Sequence, residues 1–526
     1  MEFSPVYKDI FEAPKRNIII YYFDEAIQTL SITRHAKILG NYLVERGISR
    51  GDRVCIYLQN IPQFLITELA TWAIGGIIVP LNIMYKSHEL EYFLNDSECK
   101  VLIGLETEVK SNLLPILDRT KIEMVITTTG LEYLSQVPPY LSSISRQYPL
   151  GADHDYMYII KDNRELRDVH VATEEELSTI LYTSGTTGKP KGAMYTHYNL
   201  FFGAMTIKQS FKLDEKDTMA IFSPMSHNIG IVLTATSLIS QLPFMIMYRF
   251  EPGEALRLIE KWKVSFTLLP ATGYISLMNH PDFKKRDLSS FKKLYSGGAP
   301  LPKRVVDEWE KLTGVHIRNG YGMTETTGTI SVEPVEERAP YDPETNAMSI
   351  GKPVPFTEVK IVDSTGKELE PGEVGEIIVR GPHVMKGYWK KPEETAKTIR
   401  DGWVYTGDLG KVDKDGWLYY VDRVKDLIIV SGFKVWPREV EDIIYQHPAV
   451  KEVAVVGKSD SYRGEIPKAY VVLKNDYKGR VSENDIIEFV KQRLANFKVP
   501  REVVFVDELP KTASGKIMRR ALKERD

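Results

Sequence analysis

Cysteine is scarce in this chain: Cys55 and Cys99 are the two among 526 residues. No CxxC spacing occurs, so neither a cysteine metal knot nor a disulfide scaffold is expected. Cys55 sits in the apolar run Val54-Cys55-Ile56-Tyr57-Leu58 and reads as a buried strand thiol. A strong net charge is lacking too. The 68 basic and 71 acidic side chains leave a formal net charge of −3, which provides no global field to gather nucleic acid or anionic lipid. A local basic cluster can still hold a phosphorylated ligand. Residues 1–11 lack a basic segment followed by an apolar run, so no signal peptide is expected. The most apolar stretch, 64–84, is interrupted by Glu68, Gly75-Gly76 and Pro80. It reads as a helix, a turn and a buried strand, not as a membrane span. No integral membrane segment and a cytoplasmic location are the resulting expectations.

Hydrophobic residues make up 43% of the chain, enough for a large core. The length suggests about two to four domains. Short β-branched runs at 54–58, 77–79, 101–103, 220–222, 244–247, 266–269 and 294–295 alternate with amphipathic stretches such as 63–72 and 87–94. That rhythm predicts α/β layers with mainly parallel sheets. After about residue 349 the texture changes. Strand-like runs at 359–362 and 376–379 are separated by dense turn signals, Asp363-Ser364-Thr365-Gly366, Pro371-Gly372 and Asp415-Gly416. This predicts a small antiparallel, β-barrel-like unit at about 350–424. The last stretch has its own helices (438–446, 483–494) and strands (453–456, 469–473), and about 100 such residues make a separate α+β domain. The fold class is therefore α/β: a large domain over 1–424 and a smaller one over 425–526, with the boundary in the charged stretch 423–426.

The strongest local signal is Tyr182-Thr183-Ser184-Gly185-Thr186-Thr187-Gly188-Lys189-Pro190-Lys191-Gly192, which follows the apolar Thr179-Ile180-Leu181. Its glycines allow tight turns and close backbone approach. Its hydroxyls and lysines supply donors and positive charge, and successive backbone amides in such a turn make an anion-binding concavity. A triphosphate fits these properties. Pro190 stands where a Walker loop carries the Ser or Thr that holds Mg²⁺, so this is not a Walker P-loop and GTPase or kinase readings lose their support.

This string resembles the signature of the adenylate-forming enzymes: acyl-CoA synthetases, peptide-synthetase adenylation domains and firefly-type luciferases. Further motifs follow in that family's order over nearly the whole chain, and the resemblance is greatest to the AMP-forming acyl-CoA synthetases. It implies that Thr183, Ser184, Gly185, Thr186, Thr187 and Lys189 bind the ATP phosphates. In Ser296-Gly297-Gly298-Ala299-Pro300-Leu301 it implies that Gly298, Ala299 and Pro300 border the adenine. In Gly320-Tyr321-Gly322-Met323-Thr324-Glu325, Tyr321 can stack on a base and Thr324 can donate to a phosphate. Glu325 is a hard oxygen ligand suited to Mg²⁺, and the resemblance assigns these same roles, with Gly322 beside the nucleotide. Asp408, in Tyr405-Thr406-Gly407-Asp408, can accept from both ribose hydroxyls. Arg423 would bind ribose or phosphate, and Lys425 is the residue about which the mobile C-terminal domain turns. Ser431, Gly432 and Phe433 lie where the pantetheine of CoA passes close to backbone. Lys516, in Thr512-Ala513-Ser514-Gly515-Lys516, matches the catalytic lysine, touching both the substrate carboxylate and the α-phosphate. His227 matches a position that lines or gates the acyl tunnel and counts with Lys516, Thr324 and Glu325 as a catalytic candidate.

The implied chemistry has two steps, a carboxylic acid and ATP giving acyl-AMP and pyrophosphate, then CoA giving acyl-CoA and AMP. Acetate-specific members of the family carry Trp at the position of Gly322, so a pocket extending beyond two carbons is expected. Its wall is drawn from His227, Asn228, Gly230, Ile231, Thr234, Gly322 and Thr329, with no cation for an ω-carboxylate. A short- to medium-chain aliphatic acid, with a hydroxyl group admitted, is the expected substrate. Partners are then that acid, ATP with Mg²⁺, and CoA, with no nucleic acid; the resemblance admits a homodimer. Two alternatives stand beside it. One is an adenylation enzyme passing the acyl group to a carrier protein. The other is a non-catalytic adenylate sensor, which fold alone would not exclude.

Overall fold

A computed structural model describes residues 2–144, 154–183, 189–342, 347–423, 426–431, 433–460, 462–512 and 516–524. The described residues form four sheets. Two are the α/β layers expected from the strand–helix alternation. In the seven-stranded sheet, Ile77–Pro80, Arg53–Tyr57, Val101–Leu105 and Met124–Thr128 run parallel, and Leu177–Thr183 pairs antiparallel with Lys191–Thr196 at the other side. The nine-stranded sheet is parallel in its middle, through Phe244–Ile246, Met219–Ala220, Phe266–Leu268, Lys293–Ser296 and Ile317–Met323. Central strands such as Val101–Leu105 are buried along their whole length because elements cover both faces.

The third sheet, all antiparallel, joins Glu358–Val362, Gly375–Arg380, Trp403–Val412 and Leu418–Arg423. The fourth, built on the long hairpin Val450–Asp460 and Gly464–Leu473, belongs to a smaller C-terminal domain. Val440, Ile444, Val453, Val471, Ile486 and Val503 pack into a core of its own. Residues 424, 425 and 432 lie outside the described residues, so the expected hinge at Lys425 and the pantetheine contact at Gly432 do too.

Residues 64–84 fold as a helix Pro62–Ala73, a turn with Gly75 at φ +73, and the strand Ile77–Pro80. Among the described residues no helix is long and apolar enough to cross a membrane. The N-terminal hairpin Ile18–Tyr22 with Glu25–Gln28, and the helix Thr29–Glu45 after it, carried no signal strong enough to be read from the sequence. The cysteines also differ from expectation. Cys55 and Cys99 form a disulfide, with Cα atoms 6.0 Å apart and both residues fully buried. Parallel pairing of Arg53–Tyr57 with Val101–Leu105 brings together two thiols that are 44 residues apart in sequence, and spacing alone gives no hint of that.

One core residue is chemically at odds with its surroundings. Every residue of the helix Pro62–Ala73 is buried, Glu68 included, and both Glu68 carboxylate oxygens lack a hydrogen-bond partner. Burial pushes its pKa well above the ordinary value and favours the protonated carboxyl in the folded chain. A carboxyl whose folded pKa is raised costs stability as pH climbs from its unfolded pKa towards the folded one. Glu68→Met should therefore raise Tm, and by more at pH 8 than at pH 5. Thermal melts at the two pH values check this; an equal or smaller gain at pH 8 contradicts it.

Candidate active site

A cavity of about 560 Å³ opens where three of the four sheets meet the C-terminal segment that carries Thr512 and Lys516. Its lining takes Thr183 and Lys191 from the seven-stranded sheet and Gly297, Gly298 and residues 320–325 from the nine-stranded one. Thr406, Gly407 and Arg423 come from the antiparallel unit, and Thr512 and Lys516 from the C-terminal domain.

Thr183 ends one strand and Lys191 opens the next, directly opposite it in register, so the phosphate loop is a strand connection with both feet at the cavity. Ser184, Gly185, Thr186 and Thr187 lie outside the described residues. Lys189 does not line the cavity. It rests over the ring of Tyr92 at 5.4 Å, while Tyr92 donates to the Pro190 carbonyl at 2.7 Å. Lys191 faces the cavity in its place, paired with Glu394 at 2.5 Å and lying 4.9 Å from the centre of the Tyr388 ring.

Gly298 follows the strand Lys293–Ser296 with φ +78, a left-handed conformation that favours glycine. Ala299 and Pro300 come after this turn and stand outside the lining. Beyond the strand Ile317–Met323, Glu325 is buried and accepts from the Tyr388 hydroxyl at 2.8 Å through Oε1. The turn carrying it is braced from behind. The Tyr195 hydroxyl lies 2.7 Å from the Thr324 carbonyl, and Asn228 Nδ2 donates to the Met323 carbonyl at 3.1 Å. Gly322 has a second reason to be glycine: a Cβ there would sit 2.0 Å from the carbonyl oxygen of Gly328. The hairpin itself excludes a side chain at this position, whatever the depth of the pocket.

Asp408 is buried just behind the lining. Tyr321 donates to its Oδ2 at 2.7 Å, and Arg423 Nε is paired with Oδ1 at 3.1 Å. That second contact is an ion pair without hydrogen-bond geometry, so Oδ1 is a buried acceptor with no hydrogen bond. A donor such as a ribose hydroxyl would satisfy it.

Of the seven acyl-wall candidates, His227, Asn228, Gly322 and Thr329 line the cavity, whereas Gly230, Ile231 and Thr234 do not. The helix Asn228–Ser240 presents Asn228, Ile229 and Val232 to the cavity instead, as its 3.6-residue period requires. Gly230 is pressed against the preceding turn, where a Cβ would lie 2.2 Å from the Pro224 carbonyl oxygen. The apolar floor missed in the sequence comes from Ile207, Phe211, Leu268 and Tyr295, with Phe211 and Tyr295 stacked at 3.9 Å. His227 caps the helix, its Nδ1 accepting from the Ile229 amide at 3.4 Å. Burial, and secondarily the charge of Lys516, lower its pKa to about 4, so it is neutral at pH 7.

Lys516 reaches the same cavity from the C-terminal domain. Its amide donates to Thr512 Oγ1 at 3.1 Å, and its carbonyl accepts from the Thr512 amide at 2.8 Å. Protein surrounds the ammonium while the cleft leaves it in contact with water. Burial first, and the neighbouring Arg423 next, lower its pKa to about 8, and the water in the cleft moderates this shift. Ser431 and Phe433, the CoA candidates, stand elsewhere, on the hairpin of Ile428–Val430 and Phe433–Val435. Phe433 is exposed and stacked on Phe497 at 4.7 Å.

Comparison with known proteins meets this geometry directly. Residues 13–389 match the AMP-binding enzymes, and residues 439–516 match the AMP-binding enzyme C-terminal domain. The chain belongs to the AMP-binding enzyme family. Within it the chain falls with the AMP-forming acid–CoA ligases. A long-chain-fatty-acid–CoA ligase of Bacillus subtilis (strain 168) is 37% identical over 526 residues, covering 96% of this chain and 91% of the relative. A feruloyl-CoA synthase of Amycolatopsis sp is 33% identical over 501 residues, covering 95% and 94%. The crystal structure of ATP-bound MatB from Rhodopseudomonas palustris superposes with a TM-score of 0.86 at 30% identity, covering 99% of each chain.

Lys516 should titrate below the surface lysines, which stay charged to about pH 10. Nuclear magnetic resonance of ¹³C-methylated lysines, with Lys516→Arg to assign the signal, measures this. A Lys516 midpoint above 10 contradicts the account of its surroundings.

Proposed function

We propose that this enzyme joins a short- to medium-chain aliphatic acid, with hydroxy acids admitted, to CoA through an acyl-adenylate. The observation that carries the reading is Lys516, which enters from the C-terminal domain the cavity lined by Thr183, Tyr321 and Glu325. A carboxylate resists attack because it is anionic and its oxygen leaves poorly. In the first step one carboxylate oxygen attacks the α-phosphorus of ATP. The bond to the β-phosphate breaks, and pyrophosphate leaves with that electron pair. Two anions must approach one another for this, and a cation fixed beforehand beside the new bond lowers the cost without reorganising. Lys516 serves as that cation. In the second step the CoA sulfur attacks the acyl carbon, AMP leaves, and the thiol proton passes to solvent.

Thr183, Lys191 and Thr324 hold phosphate oxygens. Tyr321 and Gly298 flank the adenine, and Asp408 takes a ribose hydroxyl on its unsatisfied Oδ1. Glu325, held by Tyr388, is the carboxylate that would carry Mg²⁺. A single carboxylate with phosphate oxygens suits that ion, and among the described residues no cluster of three metal-ligating side chains offers a rival site. Bound there, Mg²⁺ would neutralise phosphate charge. The acid lies along Ile207, Val232 and Leu268 and ends against the Phe211–Tyr295 stack. The surface is apolar, so it favours an unbranched alkyl tail and distinguishes neighbouring chain lengths weakly.

Pyrophosphate release over acids from acetate to laurate, with hydroxy and aromatic acids included, tests the reading. CoA-dependent turnover should peak at an aliphatic acid longer than acetate. A peak at an aromatic acid overturns the substrate class, and release without thioester points to a carrier-protein acceptor. Lys516→Ala should slow adenylation about 10²- to 10³-fold yet spare thioester formation from supplied acyl-AMP. Equal loss in both half-reactions contradicts the role given to Lys516.

A further inference from the structure

The helix Pro437–Tyr445 is gripped at both ends by the N-terminal part of the chain. At its start, the Arg438 amide donates to Asp422 Oδ2 at 3.0 Å and Arg438 Nη1 donates to the Tyr420 carbonyl at 3.2 Å. At its end, Arg304 Nη1 is shared among the carbonyls of Tyr445, His447 and Val450, at 3.1, 3.1 and 3.2 Å. Arg304 stands in the first turn of the helix Lys303–Thr313. Carbonyls of a last helical turn have no partner within the helix, and the dipole makes that end negative. A guanidinium therefore satisfies both demands there at once.

The two grips differ in leverage. Asp422 stands three residues before the expected pivot, Lys425, so the contact at the helix start moves little when the C-terminal domain turns. The Arg304 contact lies a helix length away, roughly 13 Å at 1.5 Å per residue, and such a turn breaks it. The same helix is linked to Lys516. Its Glu441 receives Arg519 Nη2 at 2.8 and 2.7 Å, and Arg519 Nη1 is 3.5 Å from Asp422. Arg519 follows Lys516 by three residues in the sequence.

We propose that Arg304 is a positioning residue which latches the C-terminal domain in the orientation that holds Lys516 in the cavity. It touches no substrate and acts through the helix and Arg519. The inference rests on the two-step reading above for its rate consequences, and on nothing but the contacts for its structural one. Losing the latch weakens the orientation needed for adenylation and leaves unhindered the one needed for thioester formation.

The experiment compares Arg304→Ala and Arg304→Lys with the wild type in two readouts. The first is the pair of half-reactions, acid-dependent ATP–pyrophosphate exchange and thioester formation from supplied acyl-AMP. Arg304→Ala should lower the ratio of the first to the second by about 10-fold or more, as for a lost hydrogen bond from a charged group. Arg304→Lys, whose ammonium keeps three donors, should recover part of it. The second readout needs no catalysis: the distance between spin labels on Val374→Cys and Tyr462→Cys, both exposed positions. This distance should broaden or shift in Arg304→Ala while Tm stays near that of the wild type. A wild type inactive in both half-reactions would end the ligase reading and leave the label distance to decide the latch. Parallel loss of both half-reactions, or an unchanged ratio with an unchanged distance, overturns the latch.

Discussion

One ammonium group, that of Lys516, sets what the rest of the architecture has to achieve. It arrives from a C-terminal domain with its own core and ends in a cavity whose other walls belong to the N-terminal part. On the proposed two-step reading, a fixed cation assists the meeting of two anions, and the same cation occupies ground that an incoming thiol must reach. A lysine on a separate domain reconciles these demands on that reading, because a turn of the domain withdraws it. The small domain, the contacts at Asp422 and Arg304, and the charge network of Arg519 follow from that requirement.

The N-terminal part supplies the opposite quality, rigidity. The turn bearing Thr324 and Glu325 is braced by Tyr195, Asn228 and Tyr388. Close backbone approach at Gly322 and Gly230 leaves no room for side chains. The disulfide between Cys55 and Cys99 ties the strand Arg53–Tyr57 to the turn that leads into the neighbouring strand Val101–Leu105. Charge placed in such a frame needs no reorganisation when the reaction begins.

Much of this was legible in the sequence. Periodicity located the parallel strands because both faces are covered and the runs are continuously apolar. Local motifs identified Thr183, Tyr321, Glu325 and Lys516, which the fold brings to one cavity. What escaped were relations between distant segments. The pairing of Cys55 with Cys99 depends on strand register. Tyr388, which holds Glu325, and Arg304, which holds a helix end 141 residues away, belong to no local pattern. The acyl wall was misjudged for a geometric reason. Gly230, Ile231 and Thr234 are expected in the wall from the sequence, whereas the helix Asn228–Ser240 turns one face to the cavity and presents Ile229 and Val232 beside Asn228. Lys191 takes the place at the cavity expected of Lys189 because Lys189 precedes the strand Lys191–Thr196 and is held over the Tyr92 ring.

The most direct test of the central claim is to forbid the domain from moving. Glu308→Cys and Gln446→Cys flank the Arg304 contact, and a short bis-maleimide can bridge them; the native cysteines are buried and already paired. Half-reaction rates would be measured on the bridged enzyme and on the same variant left unbridged. With the present orientation locked, acid-dependent ATP–pyrophosphate exchange should persist while acyl-CoA formation stops. Continued acyl-CoA production by the fully bridged enzyme would contradict the claim that Lys516 has to withdraw.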